Sequence, residues 1–293
     1  MRTFKWTALA MALAFSLPVI AQDENTEESP KWKTGGNIGL TFTQTSLTNW
    51  AAGGENTLGT NGYLSLFANY TKGKGAWDNT LDLAYGILKQ GEEDLRKSDD
   101  KIDFASKYGY RASKNWFYTA LVSFKTQFSD GYKYPDDSTV ISTFMAPAYL
   151  VGSFGMDYKP NDRLTVFLSP ITAKFTMVND DALSALGSFG LEPGEKFRSE
   201  FGGFVKVAFK QDLMENVNFQ TKVDFFSNYA DNPQNIDVNW EVLIAMKVNK
   251  FITANLSTQL IYDHDTKITD KEGKVGPRTQ FKEIFGVGFA YKF

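Results

Sequence analysis

The sequence contains no cysteine and one histidine, His264. The first absence removes disulfides, thiolate chemistry and any lipid attached through cysteine. The second leaves a serine–histidine site dependent on a single residue inside an acidic segment, Asp263-His264-Asp265. Long apolar runs are also missing. Beyond the first 21 residues nothing approaches the run of about 18 that a membrane-spanning helix needs. Charge of one sign is missing as well: Lys and Arg number 31 against 34 Asp and Glu, so no basic surface points to nucleic acid.

The amino-terminal 21 residues have the layout of a secretory signal. Arg2 and Lys5 precede an apolar stretch, Trp6 to Leu17, and Val19-Ile20-Ala21 is followed by Gln22. The apolar run is too short for a transmembrane anchor, because a helix needs about 20 residues to cross ~30 Å of hydrocarbon. Residues 1–21 are therefore expected to be removed, leaving 29 basic residues against the 34 acidic ones. Residues 22–35 read as a flexible acidic lead, and residues 36–293 as the folded domain.

Aromatic residues make up 15% of the chain, with 25 Phe and 13 Tyr. High aromatic content without a helical span fits a closed β-barrel, the one non-helical structure that satisfies its backbone in lipid. The last fifteen residues show the pattern. Phe281, Phe285, Val287, Phe289, Tyr291 and Phe293 share one face, with Lys282, Gly286, Gly288 and Ala290 on the other. Similar alternation marks about twelve segments: 36–48, 61–72, 76–88, 100–112, 115–128, 148–158, 163–177, 199–210, 216–229, 236–248, 251–263 and 279–293.

Their connections alternate between tight turns and long loops. Residues 73–75, 113–114, 159–162, 211–215 and 249–250 are short, and the intervening segments are mostly much longer. A soluble sandwich has no reason to follow this rule, whereas outer-membrane barrels place short turns in the periplasm and long loops outside. The expected fold is an all-β, antiparallel, up-and-down transmembrane barrel of about twelve strands with both termini periplasmic. In the seventh segment the apolar phase flips at Pro170, which lacks a ladder donor and marks a bulge.

The faces opposite the apolar stripe carry Asp82, Asp103, Lys107, Arg111, Lys125, Glu200, Lys206, Lys222, Asp224, Glu241 and Lys247. In a closed barrel these line the lumen. Their mixed signs favour paired charges and a narrow or plugged interior over a wide pore with a ring of one sign. No catalytic residue and no cofactor site is identified, and the protein is expected not to be an enzyme. The Asp263, His264, Asp265 segment is the one candidate cation site, with ordinary solvated loop charges as the alternative.

Several pieces together resemble a known family: Trp50-Ala51-Ala52-Gly53-Gly54-Glu55-Asn56, Lys107-Tyr108-Gly109-Tyr110, Thr126-Gln127-Phe128, Ala146-Pro147-Ala148, Leu168-Ser169-Pro170 and Gln280-Phe281-Lys282-Glu283. They are similar to the Bacteroidota outer-membrane family catalogued as domain of unknown function 3078. The resemblance implies an outer-membrane barrel in a Gram-negative cell and no assigned activity. On the expected topology it also gathers Trp50, Gly53, Gly54, Thr126, Gln127, Pro147, Gln280, Lys282 and Glu283 around the outer mouth, as candidates for lid or partner contact.

The function expected from these features is a narrow small-solute channel or transport component of the outer membrane. The alternative is a structural or accessory subunit of an envelope assembly or secretion complex. Outer-membrane lipid and lipopolysaccharide are the expected surroundings, and an envelope protein is the partner in the alternative.

Overall fold

The computed structural model describes residues 31–48, 55–269 and 272–293. The leader, Trp50, Gly53 and Gly54 lie outside the described residues. The first strands are β1 (Lys31–Thr45), β2 (Thr57–Lys72), β3 (Gly75–Gln90), β4 (Arg96–Arg111) and β5 (Trp116–Thr126). A loop hairpin of β6 (Gly131–Tyr132) and β7 (Val140–Ser142) precedes β8 (Ala148–Tyr158) and β9 (Leu164–Met177). Then come β10 (Phe197–Met214), β11 (Val217–Asn228), β12 (Ile236–Lys247) and β13 (Ile252–Tyr262). A second loop hairpin, β14 (Lys267–Thr269) with β15 (Val275–Pro277), leads to β16 (Gln280–Lys292).

Without the two hairpins, the strands close into a twelve-stranded antiparallel barrel in the order β1-β16-β13-β12-β11-β10-β9-β8-β5-β4-β3-β2. No helix among the described residues is long and apolar enough to cross a membrane. The tight connections lie at one end, and Gly36 and Phe293 exchange backbone hydrogen bonds of 3.0 Å there, which puts both described chain ends at the short-turn end. In the turn between β2 and β3, Gly73 has φ of +55°, a left-handed conformation that glycine takes without steric cost.

Facing follows the period of two. Tyr118, Phe154, Phe281 and Tyr291 point outward and are each more than 60% exposed. Leu81, Leu83, Val122, Val223, Trp240, Ile244, Leu256 and Leu260 share that outer face through the pairing registers. Aromatic clusters ring the short-turn end, with Trp32–Tyr70 centroids 5.1 Å apart and Trp116–Tyr158 4.8 Å apart.

All twelve expected strands are present, with corrections at their ends: β2 and β4 begin at Thr57 and Arg96 instead of residues 61 and 100, which shortens the expected loops 49–60 and 89–99, and two further ends differ. Lys31 to Gly35, placed by the sequence in the flexible lead, pair with Phe67 to Thr71 in β1. Two lysines in this stretch hid its alternation, and Trp32 packing on Tyr70 and Trp77 anchors it. The expected turn at residues 211–215 is instead mostly strand. β10 runs to Met214 through a register shift at Asp212/Met214, leaving only residues 215 and 216 to turn.

The bulge at Pro170 is present. Phe154 pairs with Ile171 and Met156 with Leu168, so Gly155 alone faces Ser169 and Pro170. The Ser169 hydroxyl donates to the Phe154 carbonyl at 2.8 Å, and the Thr172 hydroxyl donates to Ser153 at 2.9 Å. Side-chain hydroxyls thus occupy polar backbone that the interrupted ladder leaves over.

Above the long-loop end, the segment between β9 and β10 folds on itself. It contains α1 (Asp181–Ala185), whose N-cap Asp180 accepts from the Leu183 amide at 2.9 Å. Val178, Leu183 and Leu191 bury against Ala146 from the loop before β8, with Phe189 beside them. This small apolar cluster roofs one side of the barrel.

Candidate functional site

The lumen holds three tiers of charge. The middle tier contains four lysines and four carboxylates on inward positions. Lys101 meets Glu241 at 2.9 Å and Asp103 at 3.7 Å. Lys125 lies 3.5 Å from both Asp103 and Asp224, Lys206 3.0 Å from Asp224, and Lys222 3.2 Å from Asp82. Ser65 also donates to Asp82.

Two of these contacts cross the full width of the barrel. β4 and β12 stand six strands apart in either direction around the ring, as do β3 and β11. Lys101–Glu241 and Lys222–Asp82 therefore join opposite walls, and Lys125–Asp224 spans four strands. Long side chains of opposite sign meet at the centre, where each satisfies a charge that water would otherwise have to solvate.

At the long-loop end, Lys174 lies 2.7 Å from Asp237, 3.4 Å from Glu200 and 3.9 Å from Asp263. Arg198 lies 2.6 Å from Glu200 and also pairs with Asp265. Two cations here face four carboxylates. At the short-turn end Asp157, 1% exposed, holds Lys107 at 2.7 Å and Lys159 at 3.5 Å, and Lys159 meets Asp78 at 2.6 Å. The Arg111 guanidinium sits 5.6 Å from the Phe117 ring centre, so this tier has a cation surplus.

Apolar side chains fill one side of the lumen. Leu121, Phe167, Phe204 and Phe226 form a buried cluster on β5, β9, β10 and β11, with the Phe167 and Phe204 rings edge to face at 6.3 Å. The other side, along β1, β2, β13 and β16, encloses a cavity of about 230 Å³. Its lining includes Tyr63, Ser65, Asn255, Ser257, Gln259 and Ile284, and the central braces Lys101–Glu241 and Lys222–Asp82 close it on one side.

Of the lumen charges named from sequence, Asp82, Asp103, Lys125, Lys206, Lys222, Asp224 and Glu241 converge in the middle tier, and Lys107 and Glu200 belong to the end tiers. Arg111 and Lys247 lie at the rim of the short-turn end. The sequence reading missed Lys101, Asp157, Lys174 and Asp237. Lys101 shares the inward phase of Asp103, and Lys174 sits beyond the Pro170 bulge, in the shifted phase.

The mouth candidates divide. The Thr126 hydroxyl donates to the Pro147 carbonyl at 3.0 Å and accepts from the Met145 amide at 3.1 Å, and the Gln127 amide donates to the Ser129 carbonyl at 2.9 Å. Lys282 reaches over the lumen to Asp99 at 2.7 Å. Gln280 begins β16, and Glu283 shares the outward phase of Phe281 and Phe285, away from the others. In the acidic loop, Asp263 accepts from the Asp265 and Thr266 amides at 2.9 and 3.2 Å, and His264 sits 3.3 Å from the Tyr262 hydroxyl. Among the described residues no group of three His, Asp or Glu is placed to hold a metal ion.

Comparison with solved structures finds similarity to an outer membrane channel from Pseudomonas putida F1, at 13% identity over 92% of this chain and 100% of that one, with a TM-score of 0.41. The NanC porin is similar over 87% of this chain and 98% of its own, at 7% identity and a TM-score of 0.37. The outer membrane channel DcaP of Acinetobacter baumannii covers 90% and 97%, at 11% identity and 0.28. No protein of curated function matches the sequence. Residues 42–132, from β1 into β6, match the model of a family described as a protein of unknown function, DUF3078, in keeping with the resemblance read from the sequence.

Proposed function

We propose that the protein is a non-enzymatic barrel of the Gram-negative outer membrane whose lumen is a narrow, side-chain-gated passage for small solutes. A wall with apolar outward positions is stable in hydrocarbon and unfavourable in water, and the closed ladder leaves no edge around most of the ring. A leader on residues 1–21 would deliver the chain to that membrane, with the tight turns on the periplasmic side.

The observation that carries the gating is the pair of contacts across the barrel, Lys101–Glu241 and Lys222–Asp82. Charges of opposite sign that meet in the centre narrow the path and leave little net field, so resting conductance is low and weakly selective. Side chains fill small barrels, and wide aqueous pores belong to rings of about sixteen strands or more. Planar-bilayer recording tests the reading. The wild type should give small, intermittent conductance, and Lys101→Ala with Lys222→Ala should raise it and shift it toward cations, because Asp82 and Glu241 lose partners. A large steady wild-type conductance would refute the gate. No conductance from either protein would favour the accessory-subunit role.

A further inference from the structure

The short-turn rim is charged unevenly. On the six adjacent strands β12, β13, β16, β1, β2 and β3 it carries Lys247, Lys250, Lys292, Lys31, Lys33, Lys72 and Lys74, and no exposed Asp or Glu. Asp78, just inside this arc, is held by Lys159 at 2.6 Å, which leaves the terminal carboxyl of Phe293 as the one anionic group at the arc itself. On the opposite arc, from β8 to β11, the signs are mixed: Arg163 and Lys210 stand with Asp162, Asp212 and Glu215.

The seven lysines are exposed, and none of them meets a carboxylate among the described residues. At the long-loop end Arg96, Lys97, Lys196 and Arg198 each do. Unpaired cations at a membrane interface attract anionic headgroups, over a range of about one Debye length.

The ring closes at the middle of the basic arc. β1 pairs with β16 over six residue pairs, Asn37↔Lys292 to Phe42↔Val287. Across these pairs the lipid face carries a groove of about 740 Å³, lined by Ile38, Leu40, Gly62, Phe251, Phe289 and Tyr291, with no acidic or basic side chain in its lining. The floor is low because Gly62, paired with Leu40 on the outward face, has no side chain. A Cβ added there would meet nothing closer than a Leu40 methyl at 3.8 Å, so the space above it is open.

Two of the lysines adjoin the groove. Lys250 sits in the turn directly before Phe251, and Lys292 stands exposed at the end of β16, between Tyr291 and Phe293. On the neighbouring hairpin Trp32 packs on Tyr70 and Trp77, so aromatic rings and cations share this end of the wall as they do at a headgroup boundary. The outward Glu283 does not oppose them, because it lies about 20 Å from Phe289 along β16, toward the long-loop end.

We infer that this groove is a binding site for an anionic phospholipid of the leaflet at the short-turn end, with its phosphate between Lys250 and Lys292 and an acyl chain laid over Gly62, along Leu40, Phe251 and Phe289. The site rests on the barrel being membrane-embedded and is independent of the gate. An ordinary stretch of lipid-facing wall offers apolar contact alone, whereas here a recess in the wall and unpaired cations select both parts of one molecule.

Native mass spectrometry of the delipidated full chain in nonionic detergent, titrated with dioleoyl phosphatidylglycerol or dioleoyl phosphatidylcholine, tests the site. Heat-modifiable gel mobility confirms that each variant is folded. The wild type should retain one phosphatidylglycerol at several-fold lower concentration than phosphatidylcholine. Lys250→Gln with Lys292→Gln should abolish that preference and leave phosphatidylcholine unchanged. Gly62→Leu, which fills the groove and alters no charge, should weaken both lipids several-fold. Lys72→Gln with Lys74→Gln removes the same charge elsewhere on the arc and should change neither. Equal retention of the two lipids by the wild type, equal loss from the two lysine pairs, or no effect of Gly62→Leu would overturn the site. Capture of polyglutamate that depends on Lys250 and Lys292, without a lipid preference, would give the rim to an acidic protein and overturn it as well. Lipid retention is read without current, so its failure leaves the conductance test standing, whereas a wild type lacking heat-modifiable mobility would fail the membrane-barrel reading itself.

Discussion

One wall of the lumen is packed and the opposite wall is hollow, although both are made of the same alternating strands. On β5, β9, β10 and β11 the inward positions carry Leu121, Phe167, Phe204 and Phe226, and the loop cluster of Ala146, Val178, Leu183 and Leu191 covers that side. On β1, β2, β13 and β16 the inward positions include Gly39, Thr41, Asn61, Ser65, Asn255, Ser257 and Gly286. Strand count sets the diameter, and the volume of the inward side chains decides where it is filled.

The sharpest way to break this comparison is to cut matched side chains from the two walls. Phe167→Ala removes a ring that is 1% exposed and should cost about 3–5 kcal/mol, while Ile284→Ala, beside an existing cavity, should cost well below that. Urea unfolding in detergent, followed by heat-modifiable gel mobility, gives both values. Equal losses would erase the distinction between the walls.

The hollow wall also predicts asymmetric tolerance of charge on one strand. Leu256→Arg places a cation in lipid and should cost about 2–4 kcal/mol, whereas Ser257→Arg enters the cavity and should cost less. The same unfolding assay reads the pair, and equal tolerance would invert the facing of β13.

Conductance sharpens the comparison further. Lys222→Ala leaves Asp82 without its cross-barrel partner, next to open space, whereas Lys206→Ala leaves Asp224 still facing Lys125. In planar bilayers the first change should raise current and cation preference several-fold more than the second.

The smallest effect is expected in the loop between β5 and β8, on the packed side. The Ser138 and Thr139 hydroxyls and amides donate to Asp136 and hold its carboxyl below the ordinary range. The contribution of that turn is fully present above the ordinary carboxylate pKa and is lost as pH falls through the depressed value. Protease nicking of residues 127–147 should therefore rise only in strong acid. In Asp136→Asn it should be raised slightly and be independent of pH.

Much of this architecture was legible in the sequence because lipid imposes a strict rule on one face. Period-two alternation located all twelve strands, and the phase change at Pro170 revealed its bulge. The lumen follows no such rule. Val166-Phe167-Leu168 is apolar on both faces, so alternation gave no sign that Phe167 fills the interior. Lys174 was hidden by the phase shift, and Asp157 and Lys159 straddle the end of a strand. Which charges meet across the barrel depends on the stagger of distant strands, and the six-pair seam depends on where β1 and β16 part. Neither is encoded in a local pattern.

The central braces also constrain the order of assembly. Lys101 and Glu241 are 140 residues apart in the chain, and so are Asp82 and Lys222. Contacts of such sequence separation form late, after the closure entropy of the intervening chain has been met. The amino-terminal strands must therefore wait with Asp82 and Lys101 hydrated until β11 and β12 arrive. Drying of the barrel centre is thereby coupled to completion of the wall, and a chain stalled before β12 would remain a wet, open sheet.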